Sequence, residues 1–119
     1  MKHYDRPIIG VDFDDTLFMN SWPFNDSEPN WPVISYLKQQ REAGAYLILI
    51  TCREGADLDW AVAAAKKIGI EFDCVNENIP FMIPHVGDPR KIFCNIFIDD
   101  HNLSLAEIEK MQDHQSPAP

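Results

Sequence analysis

The stretch IIGVDFDDTL, residues 8–17, joins an apolar run to a cluster of acids and decides how the rest of the chain is interpreted. Its first four residues predict a short buried strand. Three carboxylates follow within four positions, on Asp12, Asp14 and Asp15. Like charges at the end of a buried strand repel one another and are costly to desolvate. A hard divalent cation resolves that conflict, so this segment predicts a Mg²⁺ site.

Length and composition predict one folded domain. The chain has 119 residues, of which 45% are hydrophobic, which is enough for a packed core. We expect a single domain over residues 1–113, followed by a disordered tail at residues 114–119. The net charge of -9 argues against a nucleic-acid partner or an anionic membrane. A bound metal ion can still invert the local charge and admit an anionic substrate.

Cysteine usage and the first residues of the chain predict a cytoplasmic protein. The three cysteines are widely spaced and include no C-x-x-C pair, as is typical of a reducing compartment. The N-terminus carries no secretory apolar segment, and no apolar stretch of the sequence is long enough to cross a bilayer.

Predicted strands and helices alternate along the sequence. The expected strands cover residues 8–13, 45–51, 72–75 and 92–98, and the expected helices cover residues 32–43, 56–68 and 103–111. Residues 19–31 and 76–90 are irregular and contain several prolines, which indicates loops, and the first of them is a candidate flap. This alternation predicts the α/β class, as a three-layer Rossmann-like sandwich with a mainly parallel central sheet.

Polar side chains follow three of the predicted strands, where parallel sheets bind ligands. These side chains belong to Asp12 and Asp14, to Thr51 and Arg53, and to Asp99 and Asp100. Lys91 precedes the fourth strand. It therefore belongs at the opposite end of the sheet, unless that strand starts later or the preceding loop folds up to the site.

The chemistry of this set suits phosphoryl transfer. Four carboxylates, from Asp12, Asp14, Asp99 and Asp100, are the oxygen ligands that Mg²⁺ prefers. One aspartate can attack phosphorus while a second, two residues away, serves as general acid and then general base. The Thr51 hydroxyl and the Lys91 ammonium can bind the phosphoryl oxygens.

The same set resembles the haloacid dehalogenase-like superfamily of phosphohydrolases. The matching features are D-x-D-x-T at residues 12–16, an apolar strand ending in Thr51, Lys91, and an apolar strand ending in Asp99-Asp100. They occur in the superfamily's order along nearly the whole chain. Residues 76–80, NENIP, also look like a segment of small bacterial and phage members.

The resemblance implies a role for each matching residue. Asp12 would be the nucleophile and Asp14 the general acid and base, while Thr51 and Lys91 would hold phosphate. Mg²⁺ would be bound by the Asp12 carboxylate, the Asp14 carbonyl and Asp99, with Asp100 close by. The gaps between the motifs each hold little more than one helix and one strand, so we expect a member without a separate cap domain.

The residues leave some roles open. Arg90 is an alternative to Lys91 as the phosphate ligand, and either Asp99 or Asp100 is the direct metal ligand. Arg53 either reaches a substrate anion or forms a surface ion pair, for example with Glu54.

We expect a Mg²⁺-dependent phosphatase that acts on a phosphomonoester through an aspartyl-phosphate. The substrate is either a small phosphorylated molecule or a phosphorylated macromolecule, and a second subunit can close the open site of a homo-oligomer. The alternative is a receiver-like module or a non-catalytic Mg²⁺- and phosphate-binding module. Against a receiver, the acid pair Asp99-Asp100 follows the threonine and the lysine, and no lone aspartate ends the second strand.

Overall fold

The computed structural model describes residues 6–19, 28–87 and 91–99. Its strands are β1 (Ile8–Asp12), β2 (Phe18–Met19), β3 (Glu28–Pro29), β4 (Tyr46–Ile50), β5 (Cys74–Val75) and β6 (Ile96–Ile98), and its helices are α1 (Trp31–Glu42), α2 (Gly55–Lys67) and a 3-10 helix (Pro80–His85). The predicted helix at residues 103–111 and the predicted tail at residues 114–119 lie outside this part of the chain. Within it, no helix has the length and apolar character needed to cross a bilayer.

Four of these strands form a parallel sheet in the order β5-β4-β1-β6. The chain moves outward from β1 through β4 to β5, and β6 then returns to the other side of β1. Strands β2 and β3 form a separate two-stranded antiparallel ladder. The predicted α/β class with a parallel central sheet is confirmed.

One face of the sheet packs against both α-helices. Apolar residues repeat at helical spacing along α1, and the smaller Ala61 and Ala65 bring α2 close to the sheet. The core on this face includes Ile9, Val11, Phe13, Val33, Ile34, Leu37, Leu47, Leu49 and Ile98. The chain passes from β1 to β4 and then to β5 in one direction across the sheet. Because crossovers between parallel strands are right-handed, two successive crossovers in one direction place their helices on the same face.

The second face is covered by the 3-10 helix and by Ile92 and Cys94. Ile8, Ile48 and Ile79 are buried there, with Phe81 and Cys94 packed against them. These three layers agree with the Rossmann-like sandwich that the sequence predicts.

All four predicted strands are somewhat shorter than expected, and the third and fourth begin two or more residues late, for identifiable reasons. The fourth begins at Ile96 rather than at residue 92, because Ile92 and Cys94 pack against the second face of the sheet. The third begins at Cys74 rather than at residue 72. The Asp73 carboxylate there accepts a hydrogen bond from Leu47 N at 2.8 Å and also pairs with Arg41, raising the pKa of that guanidinium.

The two predicted loops contain regular structure. The ends of the segment at residues 19–31 belong to the β2–β3 ladder, and its residues 20–27 lie outside the described part of the chain. The loop predicted at residues 76–90 contains the 3-10 helix. The two predicted α-helices that fall within the described residues begin and end within one residue of their expected positions.

Candidate active site

The parallel register brings two predicted metal ligands to the same edge of the sheet. Val11 of β1 pairs with Ile98 of β6, so Asp12 and Asp99 are the next residues along the two neighbouring strands. Adjacent strands lie about 4.8 Å apart, and residues in register point to the same face. On the other side of β1, Asp12 pairs with Ile50, which directly precedes Thr51.

This edge is also where the strand order reverses. Strands β4 and β5 lie on one side of β1 and β6 lies on the other, so the crossovers diverge beside β1. In parallel α/β sheets, ligands bind in the crevice that such a divergence leaves beyond the carboxyl ends of the strands. The predicted nucleophile and the predicted ligand Asp99 therefore flank the topological switch point.

A tight turn after β1 places Asp14. The Phe13 carbonyl accepts hydrogen bonds from the backbone N–H groups of Leu17 at 3.0 Å and Phe18 at 3.2 Å. Asp15, at φ 59°, occupies the left-handed region, which aspartate tolerates better than most residues. The Phe13 side chain is buried in the core and anchors this turn.

Asp14 forms a two-point ion pair with Arg53. Arg53 Nε donates to Asp14 Oδ2 at 2.9 Å, and Arg53 Nη2 donates to Asp14 Oδ1 at 2.8 Å. The Arg53 side chain is 1% exposed and that of Asp14 is 23% exposed. Fork-to-fork pairing of this kind fixes the orientation of the carboxylate as well as stabilising its charge.

Arg53 is further held by its aromatic neighbours. Its guanidinium carbon lies 5.2 Å from the centre of the Phe13 ring and 5.1 Å from that of Trp60, within the range of cation–π attraction. Arg53 Nη1 also donates to the Asp57 carbonyl at 3.4 Å. The expectation of a surface ion pair assumed an exposed guanidinium, and it is wrong because this one is buried. Contact with a substrate stays a prediction.

Thr51 is oriented from two sides. Its backbone N–H donates to Asn76 Oδ1 at 2.9 Å, and its Oγ1 accepts a hydrogen bond from Arg53 N at 3.1 Å. Because the oxygen already accepts, the hydroxyl proton is the part of Thr51 suited to binding an anion. A cavity of about 250 Å³ lies at this edge of the sheet, lined by Asp12, Asp14, Thr51, Cys52 and Arg53.

Lys91 is exposed and belongs to no strand or helix of the described chain. Its carbonyl accepts a hydrogen bond from Asn78 Nδ2 at 3.0 Å. Since β6 begins only at Ile96, the sheet ladder does not hold Lys91 at the amino end of that strand. Of the other candidates, Arg90 and Asp100 lie outside the described residues.

The predicted metal ligands at the carboxyl edge of the sheet include few carboxylates. Among residues 6–19, 28–87 and 91–99, no three side chains of His, Cys, Asp or Glu are grouped closely enough to hold a metal. Mg²⁺ is commonly held by only one or two carboxylates, with waters and phosphate oxygens completing its shell. Asp12 and Asp99, which follow neighbouring strands in register, fit that smaller requirement, and the Asp14 carbonyl is the further predicted ligand.

Three contacts of the site were not foreseen from the sequence: the burial of Arg53 and the side-chain bonds of Asn76 and Asn78. An arginine next to a strand end carries no pattern that distinguishes a buried position from an exposed one. In the sequence, the NENIP segment shows only a resemblance to a segment of small bacterial and phage members of the superfamily. Its two asparagines carry no sequence pattern that indicates which backbone groups they bind.

The comparisons with known proteins bear on the fold and on kinship. No protein-family model matches the chain, and no curated protein matches it. A chain of the Pnkp1/Rnl/Hen1 RNA repair complex superposes with a TM-score of 0.51 over 98% of this chain, at 19% identity. The match spans only 34% of that longer chain, and at this identity it shows a shared fold alone.

A conserved protein from Bacteroides thetaiotaomicron is much more similar. Its structure superposes with a TM-score of 0.74 at 30% identity. The alignment covers 94% of this chain and 93% of the other. The chain therefore belongs to the same protein family as this conserved Bacteroides thetaiotaomicron protein.

Proposed function

We propose that the protein is a haloacid dehalogenase-like phosphatase that hydrolyses a phosphomonoester through an aspartyl-phosphate, with Mg²⁺ as its cofactor. The observation that carries the proposal is the meeting of Asp12, Thr51 and Asp99 at one edge of the sheet. Asp12 and Thr51 line a single cavity there together with the Asp14–Arg53 pair. This arrangement supplies the groups that phosphoryl transfer requires.

Asp12 is the nucleophile in this proposal. Its Oδ1 accepts a hydrogen bond from Phe13 N at 2.9 Å, which orients the carboxylate at the end of β1. An Asp12 oxygen attacks phosphorus, the bond from phosphorus to the leaving oxygen breaks, and the phosphoryl group is carried on Asp12.

Asp14 moves protons in both halves of the reaction. It first donates a proton to the leaving oxygen and then accepts one from the water that attacks phosphorus, whereupon the bond to Asp12 breaks. Arg53 holds Asp14 in place through two hydrogen bonds to its carboxylate. p-Nitrophenyl phosphate has a weakly basic leaving group. Its hydrolysis therefore depends little on the proton that Asp14 donates to the leaving oxygen.

Thr51 and Lys91 bind the phosphoryl oxygens. The Thr51 hydroxyl donates its proton while its oxygen accepts from Arg53 N, and the Lys91 ammonium contributes positive charge. Asp12, Asp99 and the Asp14 carbonyl would hold Mg²⁺, with Asp100 as the further predicted ligand. Bound Mg²⁺ supplies neutralisation of the phosphoryl charge.

The proposal is tested by hydrolysis of p-nitrophenyl phosphate with Mg²⁺, with EDTA, and by the Asp12→Asn variant. We expect turnover to require Mg²⁺ and to fall by at least about a thousandfold in Asp12→Asn, as it does when other covalent nucleophiles are removed. Asp59→Asn is the matched control, since it removes an exposed acid of α2 that lies outside the cavity lining. Turnover that survives Asp12→Asn would overturn the proposal, and Mg²⁺ binding without turnover of any phosphoester would favour the non-catalytic module.

A further inference from the structure

The loop after β5 contacts both segments that carry the proposed phosphate ligands. Asn76 Oδ1 accepts a hydrogen bond from Thr51 N at 2.9 Å, 25 positions away in sequence. Two residues later, Asn78 Nδ2 donates to the Lys91 carbonyl at 3.0 Å, and Asn78 Oδ1 accepts from Phe93 N at 2.7 Å. The NENIP segment therefore joins two parts of the proposed site that are distant in sequence.

Each asparagine is suited to its place. Asn76, at φ 52°, occupies the left-handed region, which asparagine tolerates better than most residues. Asn78 is 8% exposed and uses both its amide donor and its amide acceptor on the backbone around Lys91. A buried amide that is hydrogen-bonded through both its donor and its acceptor favours one local arrangement.

Lys91 needs such a support. It lies five residues before β6 and outside every described strand and helix, so no backbone ladder fixes the start of its side chain. A lysine ammonium is a point charge on a long flexible stem, and its strength as an anion ligand depends on where that stem begins. The two bonds from Asn78 fix the backbone on which the stem starts.

We infer that Asn78 is a positioning residue that sets the affinity of the site for phosphate through Lys91, as Asn76 does for Thr51. This inference rests on the proposed function, because it takes Lys91 to be a phosphate ligand. Asn78 itself does not touch the phosphoryl group.

The test is a double-substitution cycle read out as the inhibition constant of inorganic phosphate against p-nitrophenyl phosphate. Asn78→Ala and Lys91→Met are measured singly and together, each with a urea titration to verify folding. We expect each single substitution to raise that constant about tenfold, the equivalent of weakening one hydrogen bond to a charged group. The two together are expected to raise it no more than Lys91→Met alone.

Asn95→Ala is the matched control. Asn95 lies at the other end of residues 91–95 and bonds to the amino end of β1. Its Oδ1 accepts a hydrogen bond from Ile8 N at 2.8 Å. A purely structural role for Asn78 predicts that the two alanine variants lose stability and phosphate affinity alike. The positioning role predicts that Asn95→Ala loses stability while its phosphate constant stays within about twofold of wild type.

The outcomes separate this inference from the proposed function. The inference would be overturned if Asn78→Ala and Lys91→Met raised the phosphate inhibition constant independently, or if Asn95→Ala raised it as much as Asn78→Ala does. Neither result would contradict the proposed phosphatase function. A wild-type protein without turnover or phosphate binding would overturn the proposed function, and the inference with it. If Asn78→Ala does not fold, Asn78→Ser keeps one hydroxyl for the two backbone groups and decides the same cycle.

Discussion

Replacing Asp14 with alanine is expected to destabilise the fold by about 2–4 kcal/mol, because it removes a carboxylate that accepts two hydrogen bonds from the buried Arg53 guanidinium. That guanidinium side chain is 1% exposed and donates hydrogen bonds of 2.9 and 2.8 Å to Asp14. Breaking a fully buried pair from one side costs about 3–5 kcal/mol. The lower expectation reflects the 23% exposure of Asp14, through which water can reach part of the vacated space.

The neighbouring acids act in the opposite direction, but more weakly. Loss of Asp14 relieves its repulsion from Asp12 and Asp15, which amounts to roughly 1 kcal/mol or less per pair at the dielectric of water. Asp12 is only partly buried and Asp15 is exposed, so solvent screens both interactions. The loss of the contact with Arg53 therefore dominates, and the net effect is destabilising.

The assay is a urea titration in EDTA, followed by tryptophan fluorescence and circular dichroism. A loss of this size shifts the unfolding midpoint by about 1 M or more, given a urea slope of about 1–3 kcal/mol/M. Arg53→Met and the double variant complete a cycle in which the coupling energy is expected to reach about 2 kcal/mol. Asp15→Asn is the control, because it removes a neighbouring charge and keeps a residue that tolerates φ 59°.

Two results would contradict the expected stabilisation by the Asp14–Arg53 pair. A coupling energy below about 0.5 kcal/mol would mean that the two side chains do not stabilise each other. A loss in Asp15→Asn as large as in Asp14→Ala would mean that charge at this turn matters and the contact with Arg53 does not.

Three further changes probe the surroundings of the site. Gly10→Ala is expected to destabilise by about 1–3 kcal/mol, because its Cβ would lie 2.8 Å from Ile50 Cδ1; an unchanged urea midpoint would contradict this. Thr16→Val is expected to be neutral or stabilising by up to about 1 kcal/mol, because Thr16 Oγ1 is buried and finds no partner among the described residues; a lowered melting temperature would reveal a partner. Cys52 is expected to react with iodoacetamide before Cys94, because Cys52 is exposed whereas burial raises the pKa of the Cys94 thiol and lowers its thiolate fraction. Equal labelling rates of Cys52 and Cys94 in peptide mapping would contradict this order. Inorganic phosphate is expected to slow the labelling of Cys52, which lines the cavity.

The parts of the fold with a strong local signal were predictable from sequence. The continuous apolar run of β4 and the amphipathic patterns of α1 and α2 appear where the sequence places them, because each element is long enough for its periodicity to be unambiguous. The acids after β1 indicated the carboxyl edge of the sheet for the same reason: they follow a strand whose burial is evident.

The remainder depends on contacts between distant segments. Ile92 and Cys94 are apolar because they pack against a sheet face, and an apolar run of this length does not distinguish a covering segment from a strand. The pairing of Phe18 with Pro29 joins strands of only two residues each, too short for any alternation to be visible. Arg53 is buried because Phe13, Trp60 and Asp14 converge on it, which no local pattern around the arginine reports.

The proposed function depends on carboxylates from two neighbouring strands sharing one cation. The most direct measurement is anomalous diffraction from crystals soaked in Mn²⁺ as a stand-in for Mg²⁺. We expect a peak within about 2.5 Å of carboxylate oxygens of both Asp12 and Asp99. A peak that contacts only one of them, or no peak at the carboxyl edge of the sheet, would contradict this expectation.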